Sequence, residues 1–370
     1  MFEVFKTRCR VAFVALFVAG CGGTEVPDKV AAPPANPPKP PPTASVPTAP
    51  ASAGASAAPL PPNSASLPPS VPAAPPSRAL SVVKPIEIGK WPEDMVVSGG
   101  FSWIAESGAR RVAQIDLATN TVKNRVSVGR LPVEIVAGAD GTIYTSCRTD
   151  QAIWSIQPST LAAKTFARVS DYPQDMIFAN GALWVLLMKG NSSADSSVVR
   201  IDLPSGKQSK SVALGANAFE LAMGFGRVWV VHHDQVSVID EKTLAPLPDI
   251  TPGIKFAMHV AVGAKAVFIT DADSVLRLDP ESGKITHTTN LGELVFVLET
   301  VRDEVLAAGR SGKIYRLDPG TLAMKEILTP ATNAFEPSDV RVSGAQLLVT
   351  THASLGGGAD KEAGTLLVLE

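Results

Sequence analysis

The sequence predicts an all-β fold, a seven-bladed β-propeller, and three observations carry that prediction. After residue 80, Val, Ile, Leu, Ala and Thr dominate and aromatic residues are few, a composition that suits strands. One phrase recurs roughly every 40 residues: a short apolar strand, then Ile or Leu, then Asp or a stand-in, then a turn. The last repeat is one strand short, while the first is preceded by one strand too many.

In chain order the first element is a targeting segment. Lys6, Arg8 and Arg10 give a positive start, and "VAFVALFVA" (11–19) gives an apolar core too short to span a bilayer. It ends "VAGC" (18–21), which resembles the lipobox of bacterial lipoproteins. That resemblance implies a signal peptide over residues 1–20 and a lipid on Cys21. The lipid would anchor the chain to a membrane without a spanning helix, in the bacterial cell envelope, at the outer membrane or its periplasmic face. Gly22 stands where some lineages place the aspartate of inner-membrane retention.

Residues 21–80 follow as a tether rich in Pro, Ala and Ser, as in "PPANPPKPPPTASVP". Such a segment buries too little apolar surface to offset its ordering entropy and reads as a disordered, extended linker. Of three cysteines, Cys9 and Cys21 lie before the body. Cys147 therefore has no disulfide partner there and reads as a small core residue.

The body, residues 81–370, is built from the repeat. Its marker appears as "AQIDLATNTVK", "WSIQPSTLAAK", "VRIDLPSGKQSK", "SVIDEKTLAPL", "LRLDPESGKIT", "YRLDPGTLAMK" and a truncated "LLVLE". Before most markers come two strands joined by a Gly-rich turn, the second often carrying Trp, as in "MVVSGGFSWIAE" and "MIFANGALWVLL". A further strand follows, as in "KNRVSVG". Four short strands per unit make a propeller blade. The chain stops before the seventh unit's fourth strand, and "SVVKPIEIG" (81–89) resembles those fourth strands. It is predicted to complete the last blade and close the ring, which removes exposed sheet edges. Trp103, Trp184 and Trp229 share one repeat position and are predicted to pack between blades.

The Pro before the first strand, the Trp-bearing second strand and the "IDL.T" or "LDP.SG" turn resemble bacterial propellers of YVTN- or NHL-type repeats, although the YVTN tetrapeptide itself is absent. The resemblance implies that the start of each innermost strand and the loop after each second strand surround the channel mouth on one face, the top. Counting back nine residues from each second-strand Trp or its equivalent gives Asp94, Asp175, Glu220, His259, Val297 and Asp339. Ten back from Tyr144 gives Glu134, because blade two has a longer "GADGT" turn.

Clustered carboxylates must be solvated, hydrogen-bonded or paired with a cation. The reading favoured here is that each acid bonds backbone N–H groups of the neighbouring loop. The alternative is a cation: Asp94, Glu134, Asp175, Glu220 and Asp339 would suit Ca²⁺ or Mg²⁺, with no other cofactor indicated. "DADS" (271–274) lacks the glycine and distal glutamate of a calcium loop. Around this ring the top-face candidates are Trp91, Arg148, His232, His233, Arg310 and His352, with Glu106, Lys189 and Asp271 also in the second-strand loops. The histidines lie on blades four, five and seven and read as separate loop residues. Two long top loops, 189–197 and 352–364, are natural places for partner contacts.

The near-neutral balance of 33 basic and 35 acidic residues argues against nucleic acid as a partner. No Cys-x-x-Cys-His, His-x-Glu-x-His or Ser/His/Asp arrangement can be read. The expected function is a monomeric binding scaffold of the envelope, acting through its top face on an envelope protein or small ligand. The alternative is a metal-assisted lyase or lactonase-type hydrolase at the channel mouth.

Overall fold

The computed structural model describes residues 76–190, 195–251, 253–330, 336–352 and 363–370. The signal segment, most of the tether and the central parts of the two long top loops lie outside the described residues.

Seven sheets, each built on four antiparallel strands, make a seven-bladed propeller. Blade one shows the plan. From channel to rim it runs Pro92–Ser98, Phe101–Glu106, Arg111–Asp116 and Thr121–Ser127. The period-two alternation of these short segments allows radial sheets, with each strand's two faces packed against the blades on either side. The marker aspartates have a local cause. Asp116 Oδ1 accepts the N–H of Ala118 at 2.9 Å, Asp240 Oδ1 that of Thr243 at 2.8 Å, and Asp318 Oδ1 that of Thr321 at 3.0 Å. Each closes the turn between the third and fourth strands as an Asx turn. The donated N–H groups hold the Asp240, Asp279 and Asp318 carboxyls below their ordinary pKa.

The ring closes as the strand count requires. Val82–Lys90 is the outermost strand of blade seven, antiparallel to Ala363–Leu369, with Val82 opposite Leu369 and Lys90 opposite Ala363. The N–H groups of Ser81 and Glu370 donate to each other's carbonyls at 3.1 Å. Glu106, fully buried, reaches across from blade one: its Oε1 accepts the Gly89 N–H at 2.6 Å, and Arg111 pairs with its other oxygen.

One strand was not foreseen. Ser77–Leu80 adds to blade six as a fifth, parallel strand beside Met324–Pro330. The propeller therefore takes in residues before 81, from the end of the stretch predicted as tether. Four residues are too few to show alternation, so "SRAL" gives no strand signal. What holds it is tertiary. Leu80 is 1% exposed and packs with Leu328 and Leu369 between blades six and seven, and Arg78 pairs with Glu326 at 3.0 Å.

The core lies in the seams. Trp103 packs with Ile135 and Ile143 of blade two, Trp184 with Val228 and Val230 of blade four, and Trp229 with Val267 and Ile269 of blade five. This is the inter-blade role predicted for the tryptophans. Cys147 is fully buried in the seam of blades one and two, and burial pushes its thiol pKa up to about 12.

Candidate functional site

The innermost strand of each blade is a sheet edge, and seven such edges line a central channel of about 420 Å³. Asp94, Glu134, Asp175, Glu220, His259, Val297 and Asp339 all line it, one per blade. All but Glu220 are less than a tenth exposed.

The ring acids reach sideways. Asp94 Oδ2 accepts the N–H of Ile135 at 2.9 Å, Asp175 Oδ2 that of Leu221 at 2.6 Å, and Asp339 Oδ2 that of Met95 at 3.0 Å. In each case the donor is the residue after the ring position of the next blade. An edge strand leaves N–H groups without a ladder partner, and burying one unpaired costs about 1–3 kcal/mol. A carboxylate on the preceding blade supplies the acceptor and ties two blades together. The partner is thus the next blade's innermost strand rather than a loop. Blade four varies the theme: Glu220 Oε2 meets Nδ1 of His259 at 2.7 Å. Glu134 has its own N–H bonded to Ser146 Oγ at 3.1 Å.

Two charged channel residues escaped the sequence reading. Arg341 donates to Asp94 Oδ1 at 2.9 Å, to Asp339 Oδ1 at 2.7 Å and to the Met95 carbonyl at 3.0 Å, and it also pairs with Glu299. One guanidinium thereby joins blades six, seven and one. Its five donors in a fixed fork suit several acceptors at once. The signal was available: Arg341 and Glu299 each lie two residues beyond a ring position, on the same strand face. The same offset on the other blades gives Val96, Val136, Ile177, Ala222 and Ala261, so this tier of the channel is otherwise apolar.

The top loops are pinned by a repeated bond. The N–H groups of Ser107, Arg148, Ala272 and Arg310 donate to the carbonyls of Trp91, Leu131, Phe256 and Leu294, each three residues before a ring position. Trp91 takes a left-handed φ of 52° and lies against Gly108, where an added Cβ would sit 2.8 Å from its ring. Arg148 and His232 lie beneath the surface, at 8% and 1% exposed. Arg310 is exposed and pairs with Glu336 at 3.3 Å. His352 Nε2 lies 3.8 Å from Glu93 Oε2. His233 stacks on Phe256 of the neighbouring loop. Asp271 of "DADS" accepts the N–H groups of Lys255 and Phe256, an ordinary loop tie.

The candidate Ca²⁺ or Mg²⁺ ligands do not converge. Among the described residues no three His, Cys, Asp or Glu side chains come together to hold a metal ion. The physical reason is the sideways reach of the acids: Asp94, Asp175 and Asp339 each give an oxygen to a neighbouring blade. No described helix is long and apolar enough to cross a membrane.

No family model matches the chain, and no curated protein matches it. Solved structures do. A catalytically inactive virginiamycin B lyase from Staphylococcus aureus, solved with quinupristin, aligns with a TM-score of 0.62 at 16% identity, over 78% of this chain and 99% of that one. Kuenenia stuttgartiensis hydrazine synthase aligns with a TM-score of 0.55 at 17% identity, over 62% of this chain and 83% of that one. At such identities the likeness is one of fold.

Proposed function

We propose that this protein is a binding scaffold of the bacterial cell envelope. Lipid on Cys21 holds it to a membrane, residues 21–80 act as a spacer, and the top face of the propeller receives an envelope protein or small ligand. One observation carries the reading. Asp94, Asp175 and Asp339, the acids best placed for chemistry at the channel mouth, are spent on blade-to-blade hydrogen bonds. What the ring supplies is rigidity, and the top loops are the elements left to recognise a partner.

The test has two parts. In fractionated cells the full chain is expected with membranes and Cys21→Ser in the soluble fraction; identical distributions would overturn the lipid anchor. A photo-crosslinking residue is then placed at Trp91 or Arg310 on the top, and at Phe225 in the turn at the opposite end of blade four. Adducts from the top positions alone support the reading. Adducts from Phe225 alone, or from none of the three, overturn it.

A second reading, a lyase or lactonase-type hydrolase, draws on the Glu220–His259 pair. A carboxylate on Nδ1 orients an imidazole for acid–base work. However, Nε2 of His259 is buried without a protein partner, so that chemistry would require the mouth to open. Turnover of lactone substrates that His259→Gln removes without loss of fold would favour this reading over the first.

A further inference from the structure

Blade five enters the ring differently from the other six. Its innermost strand, Val260–Val262, has three residues, whereas the other innermost strands have six to eight. The preceding residues, 253–259, carry the channel residue His259 and lie outside that ladder, joined to the second strand and its loop by two backbone bonds: the Thr270 N–H donates to the His259 carbonyl at 3.1 Å and the Ala272 N–H to the Phe256 carbonyl at 3.0 Å. Ile254 and Ala257 are buried in the seam of blades four and five, and side-chain bonds add to that hold. Thr270 Oγ1 accepts the N–H groups of Met258 and His259 at 3.2 and 3.1 Å, and Asp271 Oδ1 accepts that of Phe256 at 2.9 Å. From blade four, Glu220 Oε2 meets His259 Nδ1 at 2.7 Å, and a second hold comes from His233. Its carbonyl accepts the Ala257 N–H at 2.9 Å, and its ring packs on Phe256 at 5.3 Å and Phe219 at 4.6 Å.

His232 sits beneath, 1% exposed. Its Nδ1 lies 2.8 Å from the Ala216 carbonyl, which can only accept, so Nδ1 carries the hydrogen. Nε2 is then a bare lone pair. In both His232 and His233, Nε2 is buried with no protein partner. A proton added there becomes a buried, charged N–H without an acceptor.

We propose that residues 253–259 are an acid-released clasp at the channel mouth: His232 and His233 hold them while uncharged, and protonation of this pair frees them. The charged groups around the pair are few. Asp234 and Asp249 favour a charged His232, and Asp234 favours a charged His233, but burial outweighs them and holds both pKa values below the ordinary 6.5. Charge on His232 further opposes charge on His233. On the clasp side lie Lys255 and Asp271, with Glu220 held by His259. A histidine whose folded pKa is depressed leaves the opened state binding more protons. Closure is therefore fully stable above the unfolded value of 6.5 and weakens as pH falls below it toward the lowered folded values.

Hydrogen exchange on the full chain, corrected for the intrinsic effect of pH, tests this. Amides of residues 254–259 are expected to exchange about tenfold faster or more at about pH 5.5 than at about pH 7.5, with blades one to three unchanged. His233→Phe keeps the ring stack and His232→Asn keeps a donor for Ala216, so the double variant should lose the acid response. If the double variant does not fold, His233→Phe alone should at least halve it. No acid response in wild type, an equal response in every blade, or an undiminished response in the variant that folds would each overturn the clasp.

Discussion

The carboxylate of Asp339, in the last blade, accepts the backbone N–H of Met95, in the first, at 3.0 Å. The bond spans 244 residues of sequence and lies where the ring closes. Asp339 is 1% exposed and also receives Arg341, so its loss leaves a backbone donor and part of a guanidinium unpaired. Asp339→Ala is expected to cost about 3 kcal/mol in urea unfolding, whereas Glu299→Ala, at a third-exposed partner of the same arginine, should cost about 1 kcal/mol or less. Equal costs would show that the seam bond contributes nothing beyond the ion pair.

The same bookkeeping of oxygens bears on metals. Asp175 Oδ2 is engaged by Leu221 N–H, and no described triad of ligands gathers near it. Millimolar Ca²⁺ or Mg²⁺ is therefore expected to leave the thermal midpoint unchanged, and chelator likewise, because only an ion bound selectively to the folded state raises stability. Asp175→Asn keeps an acceptor oxygen and should lose less stability than Asp175→Ala. A metal-dependent rise in the midpoint that Asp175→Asn abolishes would instead identify the ring as a cation site.

The blade count, the closing strand and the ring positions were legible in the sequence because each is repeated, and repetition averages out local noise. The partner of each acid was less so. "SDVRV" shows an acid before a core strand, but that Asp339 meets Met95 depends on a seam between chain ends. Arg341 could have been found by stepping two residues from Asp339; it escaped because counting one position per blade looks at a single tier. The short strand of blade five, Val260–Val262, was hidden for the opposite reason. "FAMHVAV" alternates like its counterparts, yet the ladder starts only at Val260, and the side chains of Thr270 and Asp271 supplement the backbone bonds that hold Phe256 and His259 before it.

Cys147 gives a direct readout of the seam between blades one and two. It is fully buried and its thiol pKa is raised to about 12, so at pH 8 almost no thiolate is present or reachable. Iodoacetamide is expected to leave Cys147 unmodified in the native chain, by peptide mass mapping, and to modify it fully in urea. Rapid native labelling would mean that this seam opens far more often than its packing with Trp103 and Ile143 implies.

The fifth strand of blade six can be weighed against the strand that follows it. Leu80 is 1% exposed among Leu328, Leu367 and Leu369, while Val83, three residues on, is 46% exposed. Truncating a buried leucine typically costs about 2–5 kcal/mol, and an exposed valine falls within about 0.5 kcal/mol. Leu80→Ala is therefore expected to lower stability by about 3 kcal/mol and Val83→Ala to leave it unchanged. Because Leu80 packs on both blade six and blade seven, the loss should appear as faster exchange of amides in Met324–Pro330 and Ala363–Leu369 before the other blades respond. A neutral Leu80→Ala would place the start of the folding unit at Val82 and reduce Ser77–Leu80 to the last residues of the tether.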